Sequence, residues 1–301
     1  MAITTGNWAK ALWPGVKKWY GQAYDEHGVE YSKLFTTSSS RKAFEEDMGT
    51  SMFGLAAVKP EGQQVSYDTA QQGFLTRYTH VTYGLGFIIT REMVDDDQYD
   101  VIGKKRAQGL AFSMRQTKEV VAANVYNRAF DSNYTGGDGV ELLSTAHVNV
   151  VGANYANETT AATLSEAALE DLCIDIMQAK NDRDLNIALI PQTLIINPEL
   201  VFEADRILNS PLRVGTADND LNALKNMGKF PGGVVVNHYL TDTNAYFIRT
   251  NCPDGMKHYE RRADDFTEDN DFDPDNQKYK ATGRYSFGWT DPRGLYGNAG
   301  A

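Results

Sequence analysis

The chain of 301 residues has few cysteines and no long apolar run, and both shortages limit its class. Cys173 lies on the apolar stripe of a predicted helix and Cys252 in a predicted turn, so we expect two free thiols. The longest strongly apolar pieces, 85–89 and 234–236, are far shorter than the ~20 residues of a membrane helix. The region around Pro14 also lacks the apolar core of a signal peptide, so we expect a cytosolic product.

Positive charge is also in short supply. The chain has 29 Lys and Arg against 40 Asp and Glu, a formal net charge of −11, and most of the acidic excess lies in residues 151–301. Affinity for duplex DNA depends on phosphate neutralisation by Lys and Arg, so a free-standing DNA-binding protein is excluded. A hydrophobic content of 42% with 23% charged residues is typical of a globular chain, long enough for one large domain or two moderate ones.

Local catalytic motifs are missing as well. The segment 136–139, Gly-Gly-Asp-Gly, lacks the Lys of a phosphate-binding loop. Gly84 and Gly86 begin a dinucleotide fingerprint, but Ile89 occupies the place of its third glycine. No nucleophile elbow or zinc-protease helix occurs, and the five histidines are scattered. We therefore expect no catalytic residue, no cofactor and no metal.

An acidic run, 264–275, could in principle form a calcium-binding loop. Four of its aspartates alternate: Asp269, Asp271, Asp273 and Asp275. A calcium loop counted from the first of them requires Gly and Glu where this chain has Pro274 and Lys280. The pattern favours a solvated or interface loop, which could pair with Arg261 and Arg262 of a neighbouring subunit. A bound cation stays open as the alternative.

Residues 1–48 are polar and aromatic, with weak helical spacing near the start. They contain three tryptophans, Trp8, Trp13 and Trp19, which need an apolar surface to lie on. Because partner surfaces favour Trp, we predict an arm that reaches over a neighbouring subunit.

Strand alternation follows in 64–69 and again in 75–83, with Gln71–Gly73 between them. This pattern predicts a long hairpin. A lone two-stranded hairpin is marginal in water, so it should lie on another subunit. The candidate contacts around it are Lys59, Tyr67, Phe74, Arg77 and Tyr78.

Helical periodicity dominates 91–130 and predicts a helix of ~45 Å, with Asp95–Asp97 favourable at its N-terminus. Its basic residues could face DNA or a scaffold, although a solvated face with acidic partners from neighbours is favoured; they are Lys104, Lys105, Arg106, Arg115, Lys118 and Arg128. A second helix over 165–180 is expected to start with a capping box from Thr163 to Glu166.

Downstream of that helix, a strand over 189–196 is followed by a third helix with Asn197 as its N-cap. More strands follow to the end of the chain. Helices and strands in separate blocks predict the α+β class.

The order of these parts resembles the HK97-type fold of tailed-bacteriophage major capsid proteins. Three strings strengthen the resemblance: Tyr83-Gly-Leu-Gly-Phe-Ile-Ile-Thr-Arg-Glu92, Asp138-Gly-Val-Glu-Leu-Leu-Ser-Thr-Ala-His147 and Gly283-Arg-Tyr-Ser-Phe-Gly-Trp-Thr-Asp-Pro-Arg-Gly-Leu-Tyr-Gly297. It implies an N-arm (1–48), an extended loop (49–90), a peripheral domain with a spine helix (91–183), an axial domain (184–250), peripheral strands (251–283) and a return to the axial domain (284–301). Arg284, Tyr285, Phe287 and Trp289 would join the last two.

The resemblance implies a structural subunit that forms hexamers and pentamers of an icosahedral shell around double-stranded DNA. Its expected partners are itself, a portal protein, a separate scaffolding protein and a cement or decoration protein. The subunit would assemble in the host cytoplasm and reside in the virion. Some members crosslink a loop Lys to a neighbour, for which Lys59 is the sole candidate here, but no catalytic partner for it is identifiable.

Two alternatives remain open from the residues. An encapsulin-type compartment shell has the same fold, although the closing string of this chain is more similar to phage proteins. A soluble enzyme with a site assembled from distant residues is disfavoured because every local catalytic motif is missing.

Overall fold

The computed structural model describes residues 9–95, 99–212, 220–270 and 276–301. Within them the helices are α1 (Ala9–Glu26), α2 (Tyr31–Leu34), α3 (Arg91–Asp95), α4 (Tyr99–Asn127), α5 (Glu166–Met177), α6 (Val201–Asn209) and α7 (Ala223–Met227). The strands are β1 (Thr36–Ser39), β2 (Phe44–Thr50), β3 (Gln72–Thr79), β4 (Val81–Ile89), β5 (Pro191–Ile196), β6 (Val234–Val236), β7 (Tyr246–Thr250), β8 (Met256–Asn270), β9 (Gln277–Trp289) and β10 (Leu295–Asn298). None of the described helices is long and apolar enough to span a membrane.

The strands form three sheets. The first has the order β1-β8-β9-β4, the second β10-β7-β5-β6, and β2 pairs with β3 in a separate two-stranded ribbon. The chain contains both helices and sheets, and they occur in separate blocks along the sequence. This arrangement confirms the α+β class.

The long helix α4 lies across the first sheet. It buries Ala107, Leu110, Ala111 and Met114 in one core with Tyr279 and other residues of the sheet. Small residues four apart let the helix approach the strands closely. The predicted long helix is confirmed at 29 residues, although Asp96 and Asp97 of its predicted start lie outside the described residues.

Helix α1 packs beside α4. Tyr20 and Ala23 are buried in the same core, and half-buried Trp19 packs against it. A helix near the start is therefore confirmed. The apolar side chains of α1 from Trp19 to Tyr24 pack on their own chain, so this part of the predicted arm does not lie on a neighbour.

The second sheet has α5 and α6 packed against it. Helix α5 buries Leu169, Leu172, Cys173 and Ile176, as its stripe predicted. The predicted capping box is wrong: the Ser165 hydroxyl accepts the Ala168 N–H at 3.3 Å. Glu166 is the first helical residue, so it stands two positions too early to close a box.

The predicted cap of the third helix is confirmed. The Asn197 side chain accepts the Glu199 N–H at 3.0 Å and starts a 3₁₀ turn, Pro198–Leu200, that leads into α6. Helix α6 then ends at Asn209, before the predicted stop at Ser210 and Pro211.

A third core joins the two large sheets. It contains Phe35, Tyr126 of α4, Phe247 of β7 and Leu295 of β10, with Phe287 and Trp289 of β9 packed against it. The side chains at the end of β9 therefore contact residues of both sheets, as the closing string suggested.

The chain changes sheets at residues 290–294, so the return predicted to begin at 284 falls inside β9. The Asp291 carboxylate accepts the Arg293 N–H at 2.9 Å and shapes the turn. A Cβ on Gly294 would collide with the backbone of Gly255, so the turn requires glycine there. After the turn, β10 pairs with β7.

Candidate assembly surface

The ribbon of β2 and β3 is paired with no other strand in the described part of the chain. Its register runs from Phe44 opposite Thr79 to Thr50 opposite Gln72. The predicted hairpin is therefore wrong in both strands: 64–69 is not a strand, and 75–83 is split between β3 and β4, which pairs with β9 in the first sheet. Strand β3 begins within the predicted turn. The partner is the polar segment 44–50, whose backbone can pair without an alternating apolar pattern because most of it is solvent-accessible.

Residues 51–71, here called the ribbon loop, connect the two strands. Their apolar side chains point into solvent, with Val58 and Tyr67 each 93% exposed; the others are Met52, Phe53, Leu55 and Val65. So many exposed apolar side chains on one short loop indicate an interaction surface. Lys59 is exposed on the same loop, so Lys59 and Tyr67 stay predicted contacts.

A bulge separates the ribbon from its loop. The register shifts between Met48 and Thr50, and the bulge residue Gly49 lies against Gly73 of β3. A Cβ on Gly73 would stand 2.7 Å from the carbonyl carbon and oxygen of Gly49. The two backbones thus approach more closely than any side chain allows.

The root of the ribbon is fixed to the first sheet by Asp47. Its carboxylate accepts hydrogen bonds from Lys257 Nζ at 2.7 Å, the Tyr259 hydroxyl at 2.7 Å and Thr290 Oγ1 at 3.0 Å. Burial alone would raise the pKa of this carboxyl, but the bond from Lys257 and the hydroxyl bonds hold it below its ordinary value. Sequence reasoning missed Asp47 because its three partners come from distant segments.

Tyr78 is not available to a neighbouring subunit. Its side chain is buried, its hydroxyl lies 2.6 Å from Thr290 Oγ1, and its ring packs on Tyr259 at 4.9 Å between centroids. The predicted inter-subunit contact at Tyr78 is therefore wrong, because this face of β3 lies against the subunit itself.

Phe74 and Arg77 remain accessible on β3. Phe74 is partly exposed, and the Arg77 guanidinium lies 3.7 Å from the centroid of the Phe44 ring and 3.9 Å from Glu46. The ring and the carboxylate orient Arg77 without burying it. Both residues stay predicted contacts.

Arg261 and Arg262 have partners within the chain. Arg261 Nε donates to the Lys42 carbonyl at 3.1 Å, and Arg262 donates to Thr282 Oγ1 at 2.9 Å. Both acceptors are neutral oxygens, so pairing of these two cations with a neighbour's acidic loop stays a prediction. Of the tryptophans, Trp13 lies in α1, and Trp8 is outside the described residues.

The acidic run is not a loop throughout. Residues 264–270 belong to β8, where the Tyr24 hydroxyl donates to Asp264 at 2.5 Å. Asp269 is exposed and stands opposite Lys278 of β9, a favourable cross-strand pair. The remaining predicted residues, Asp271 and Asp273, lie outside the described residues.

The basic helix is partly neutralised within the subunit. Lys118 is buried and its Nζ donates to Glu260 at 2.7 Å, while Arg115 stacks on Tyr24 at 3.8 Å. Their partners thus belong to the same chain and not to a neighbour as predicted. Only the segment 104–106 presents an exposed run of basic side chains on α4.

His258 is buried beside this ion pair. Its ring stacks on Phe287 at 4.2 Å, and Nδ1 lies 3.2 Å from Thr37 Oγ1. Burial, together with the positive charge of Lys118, lowers the pKa of His258 to about 4. The imidazole is therefore neutral at pH 7.

The other buried histidines have structural partners. His147 Nδ1 lies 2.6 Å from Asp138, and the two ring nitrogens of His80 each lie 3.0 Å from a serine hydroxyl. Burial raises the pKa of Cys252 to about 12, which makes it a poor nucleophile. The described residues contain no group of three or more side chains placed to hold a metal ion.

A second exposed apolar surface lies on the second-sheet side. Phe202 of α6, Leu221 just before α7, and Met227 of α7 are 75%, 72% and 63% exposed. The side chains that α6 and α7 do bury, such as Ile207 and Leu224, face the sheet instead. The surface is thus the outer face of these helices.

A family model described as phage capsid protein matches residues 74–298. No curated protein sequence matches the chain.

Three solved structures are similar in fold. The virus-like particle from Pyrococcus furiosus has 13% identity and a TM-score of 0.56, over 95% of this chain and 98% of that one. The cyanophage P-SCSP1u capsid has 12% identity and a TM-score of 0.55, over 91% and 88%. The procapsid of bacteriophage JBD30 has 14% identity and a TM-score of 0.54, over 98% and 76%. At these identities the likeness establishes a shared HK97-like fold.

Proposed function

The chain belongs to the phage capsid protein family, and we propose that it assembles into the hexamers and pentamers of an icosahedral shell that encloses double-stranded phage DNA. As a major capsid protein of the virion it is structural and not enzymatic. The finer proposal concerns how copies of the chain join and what they enclose.

The ribbon and its loop support the proposal most directly. They form two strands without a third in the described part of the chain, and the loop exposes apolar side chains. An isolated ribbon is marginal in water, and an exposed apolar cluster is unfavourable until a partner covers it. Another copy of the same chain provides such a cover in a closed shell.

The two large sheets support a division of the subunit into two parts. We propose that the first sheet with α4 forms the peripheral part of each tile and that the second sheet forms the axial part. The exposed surface of Phe202, Leu221 and Met227 would then face the centre of a hexamer or pentamer. Residues 1–48 would form the arm. Within it, the part that precedes the packed segment of α1 would reach over a neighbouring subunit.

DNA would be enclosed without tight binding. The net charge of −11 disfavours adhesion of the packaged phosphate backbone, while the basic run 104–106 of α4 offers a local exception. A scaffolding protein, a portal and a cement protein are further proposed partners. The host cytoplasm is the proposed place of assembly.

A compartment shell for protein cargo is the second candidate. The virus-like particle from Pyrococcus furiosus has a TM-score of 0.56 to this chain over nearly its full length. Nucleic acid in particles purified from cells that also produce the packaging proteins would favour the phage head. Particles that hold only protein under those conditions would favour the compartment.

Negative-stain electron microscopy of the concentrated protein tests shell formation. We expect rings, tubes or shells from the wild type. In a variant with residues 53–67 replaced by Gly-Gly, we expect a folded subunit that assembles poorly. This deletion spares β2 and β3, whereas a deletion of 58–80 would also remove buried Tyr78 and His80. Uniform monomers of the wild type at every concentration would refute the shell.

A further inference from the structure

A tight turn between α5 and β5 presents Arg183 towards the ribbon loop. The buried side chain of Asn181 accepts the N–H groups of Arg183 and Leu185, both at 2.9 Å. Asp184 adopts a left-handed conformation with φ of 58°. A residue other than glycine at 152 would meet the Asp182 carbonyl at 2.7 Å, so the neighbouring segment holds the turn from outside. The direction of the Arg183 backbone is therefore fixed.

The Arg183 guanidinium holds both ends of the loop. Nε donates to the Met52 carbonyl at 3.2 Å, and a terminal nitrogen donates to the Thr69 carbonyl at 2.7 Å. The same group lies 3.5 Å from the Asp68 carboxylate. A planar fork suits two acceptors at once, which a lysine cannot reproduce.

The loop base is closed by its own hydrogen bonds. The Ser51 N–H donates to the Gln71 carbonyl at 2.9 Å, and the Gln71 N–H donates to the Ser51 hydroxyl at 2.7 Å. The Gly54 N–H donates to Asp68 at 2.8 Å. Arg183 thus binds a ribbon loop whose base is already closed by its own hydrogen bonds.

These contacts of Arg183 leave the apolar side chains of the ribbon loop exposed. Arg183 contacts backbone oxygens and one carboxylate, while Leu55, Val58 and Tyr67 are 82%, 93% and 93% exposed. A loop ordered before contact loses less conformational entropy on binding than a disordered one.

We propose that Arg183 is a positioning residue for self-association: it holds the ribbon loop in the conformation that presents its apolar side chains to a second copy of the chain. The inference rests on the proposed shell function. It assigns Arg183 a role in assembly without direct contact with the neighbour.

Hydrogen exchange and assembly of the full-length protein test the role together. In Arg183→Ala, we expect amide exchange at Gly54 and Gln71 in the unassembled subunit to be about tenfold faster. We also expect a several-fold higher concentration for shell formation, with an unchanged Tm. Arg183→Lys should lie between Ala and wild type, because one ammonium retains charge but not the fork. Arg206→Ala is the matched control for exchange, since Arg206 pairs with Glu203 on its own helix, away from the ribbon loop.

Several outcomes separate this inference from the shell function. If wild type assembles and Arg183→Ala assembles equally well or better, the positioning role is overturned. Unchanged exchange in the loop of Arg183→Ala would overturn it as well. If wild type never forms shells, the shell function fails instead, and the exchange data still decide whether Arg183 holds the loop.

Discussion

Asp47 and Lys257 join the ribbon to the first sheet through a contact of 2.7 Å between carboxylate and ammonium. Their side chains are only 22% and 18% exposed, so solvent screens the pair less than a surface salt bridge. Tyr259 and Thr290 donate to the same carboxylate and restrict its geometry. Asp47 therefore fixes the β2 side of the ribbon root, while buried Tyr78 holds the β3 side on Tyr259 and Thr290.

Asp47→Ala should loosen the ribbon without unfolding the body. We expect faster amide exchange along β2 and β3 and a local loss of about 1–3 kcal/mol, the usual range for hydrogen bonds to a charged group. Glu46→Gln is the control, because Glu46 is 41% exposed and lies 3.9 Å from Arg77. Equal exchange in both variants would show that Asp47 does not fix the root.

Acid should release the same contact. The pKa of Asp47 is lower in the folded protein than its unfolded value of about 3.9. Its contribution is therefore complete above that value and is lost as the pH falls through the folded pKa. Exchange in the ribbon of Asp47→Ala should then depend less on pH below about 4 than in wild type.

Removing Glu260 should cost more unfolding free energy than removing its partner Lys118. Burial alone would lower the pKa of Lys118, but the hydrogen bond to Glu260 more than compensates and raises it. Glu260→Leu leaves a buried ammonium unpaired and should cost about 3–5 kcal/mol of unfolding free energy. Lys118→Met should cost less, because Glu260 is 32% exposed and can be hydrated.

A double-mutant cycle by urea unfolding checks this pair. Lys118→Met with Glu260→Leu should be more stable than Glu260→Leu alone, since no charge is left buried. Glu268→Leu, at an exposed site on the same strand, controls for the change in strand residue. Additive single effects would refute a direct coupling.

His258 should make the subunit sensitive to mild acid. Its folded pKa of about 4 lies below the unfolded value of about 6.5, so the unfolded chain takes up a proton first as the pH falls. Stability should therefore decline between pH 6.5 and 4, by up to about 3 kcal/mol from this group.

His258→Phe tests that decline. Phenylalanine keeps the stack on Phe287 and removes the titrating group, at the expense of the Thr37 contact. We expect a shallower dependence of unfolding free energy on pH between 6.5 and 4. His80, whose pKa burial also lowers, should account for part of the remaining slope. Parallel pH profiles for variant and wild type would exclude His258.

Gly73 and Gly49 offer a matched pair of substitutions. Gly73→Ala drives a methyl group into the Gly49 backbone and should cost about 1–3 kcal/mol in the ribbon. Gly49→Ala meets its nearest atom at 3.7 Å, an ordinary contact, and should be tolerated. Exchange at the amides of β2 and β3 distinguishes the two, and greater harm from Gly49→Ala would contradict the bulge geometry.

Local patterns predict the longer helices α4, α5 and α6 and the buried strand β5, but not the short helices α2 and α7. The stripe of α5, the length of α4 and the cap at Asn197 each depend on neighbouring residues, and the structure confirms them. The α+β class followed from their order. The family resemblance depends on three strings. Two of them include parts of β4 and β9, which pair in the first sheet, and the third follows α4.

Contacts between distant segments could not be predicted from local sequence patterns. Strand β2 has a polar sequence, Phe44-Glu-Glu-Asp-Met-Gly-Thr50, and its partner β3 begins 22 residues beyond its end. Asp47 gains its role from β8 and from Thr290, and Arg183 from a loop more than a hundred residues away. No local periodicity encodes such contacts, so the local pattern predicts the wrong partner for β3 and an accessible Tyr78.

The pairing of β10 with β7 also determines when the subunit can be completed on the ribosome. Tyr296 is buried beside Tyr246, and the Asn157 side chain donates to the Leu295 carbonyl at 3.1 Å. The second sheet therefore lacks an edge strand until residue 298 has left the exit tunnel. A chain that stops before β10 leaves this edge of the second sheet unpaired.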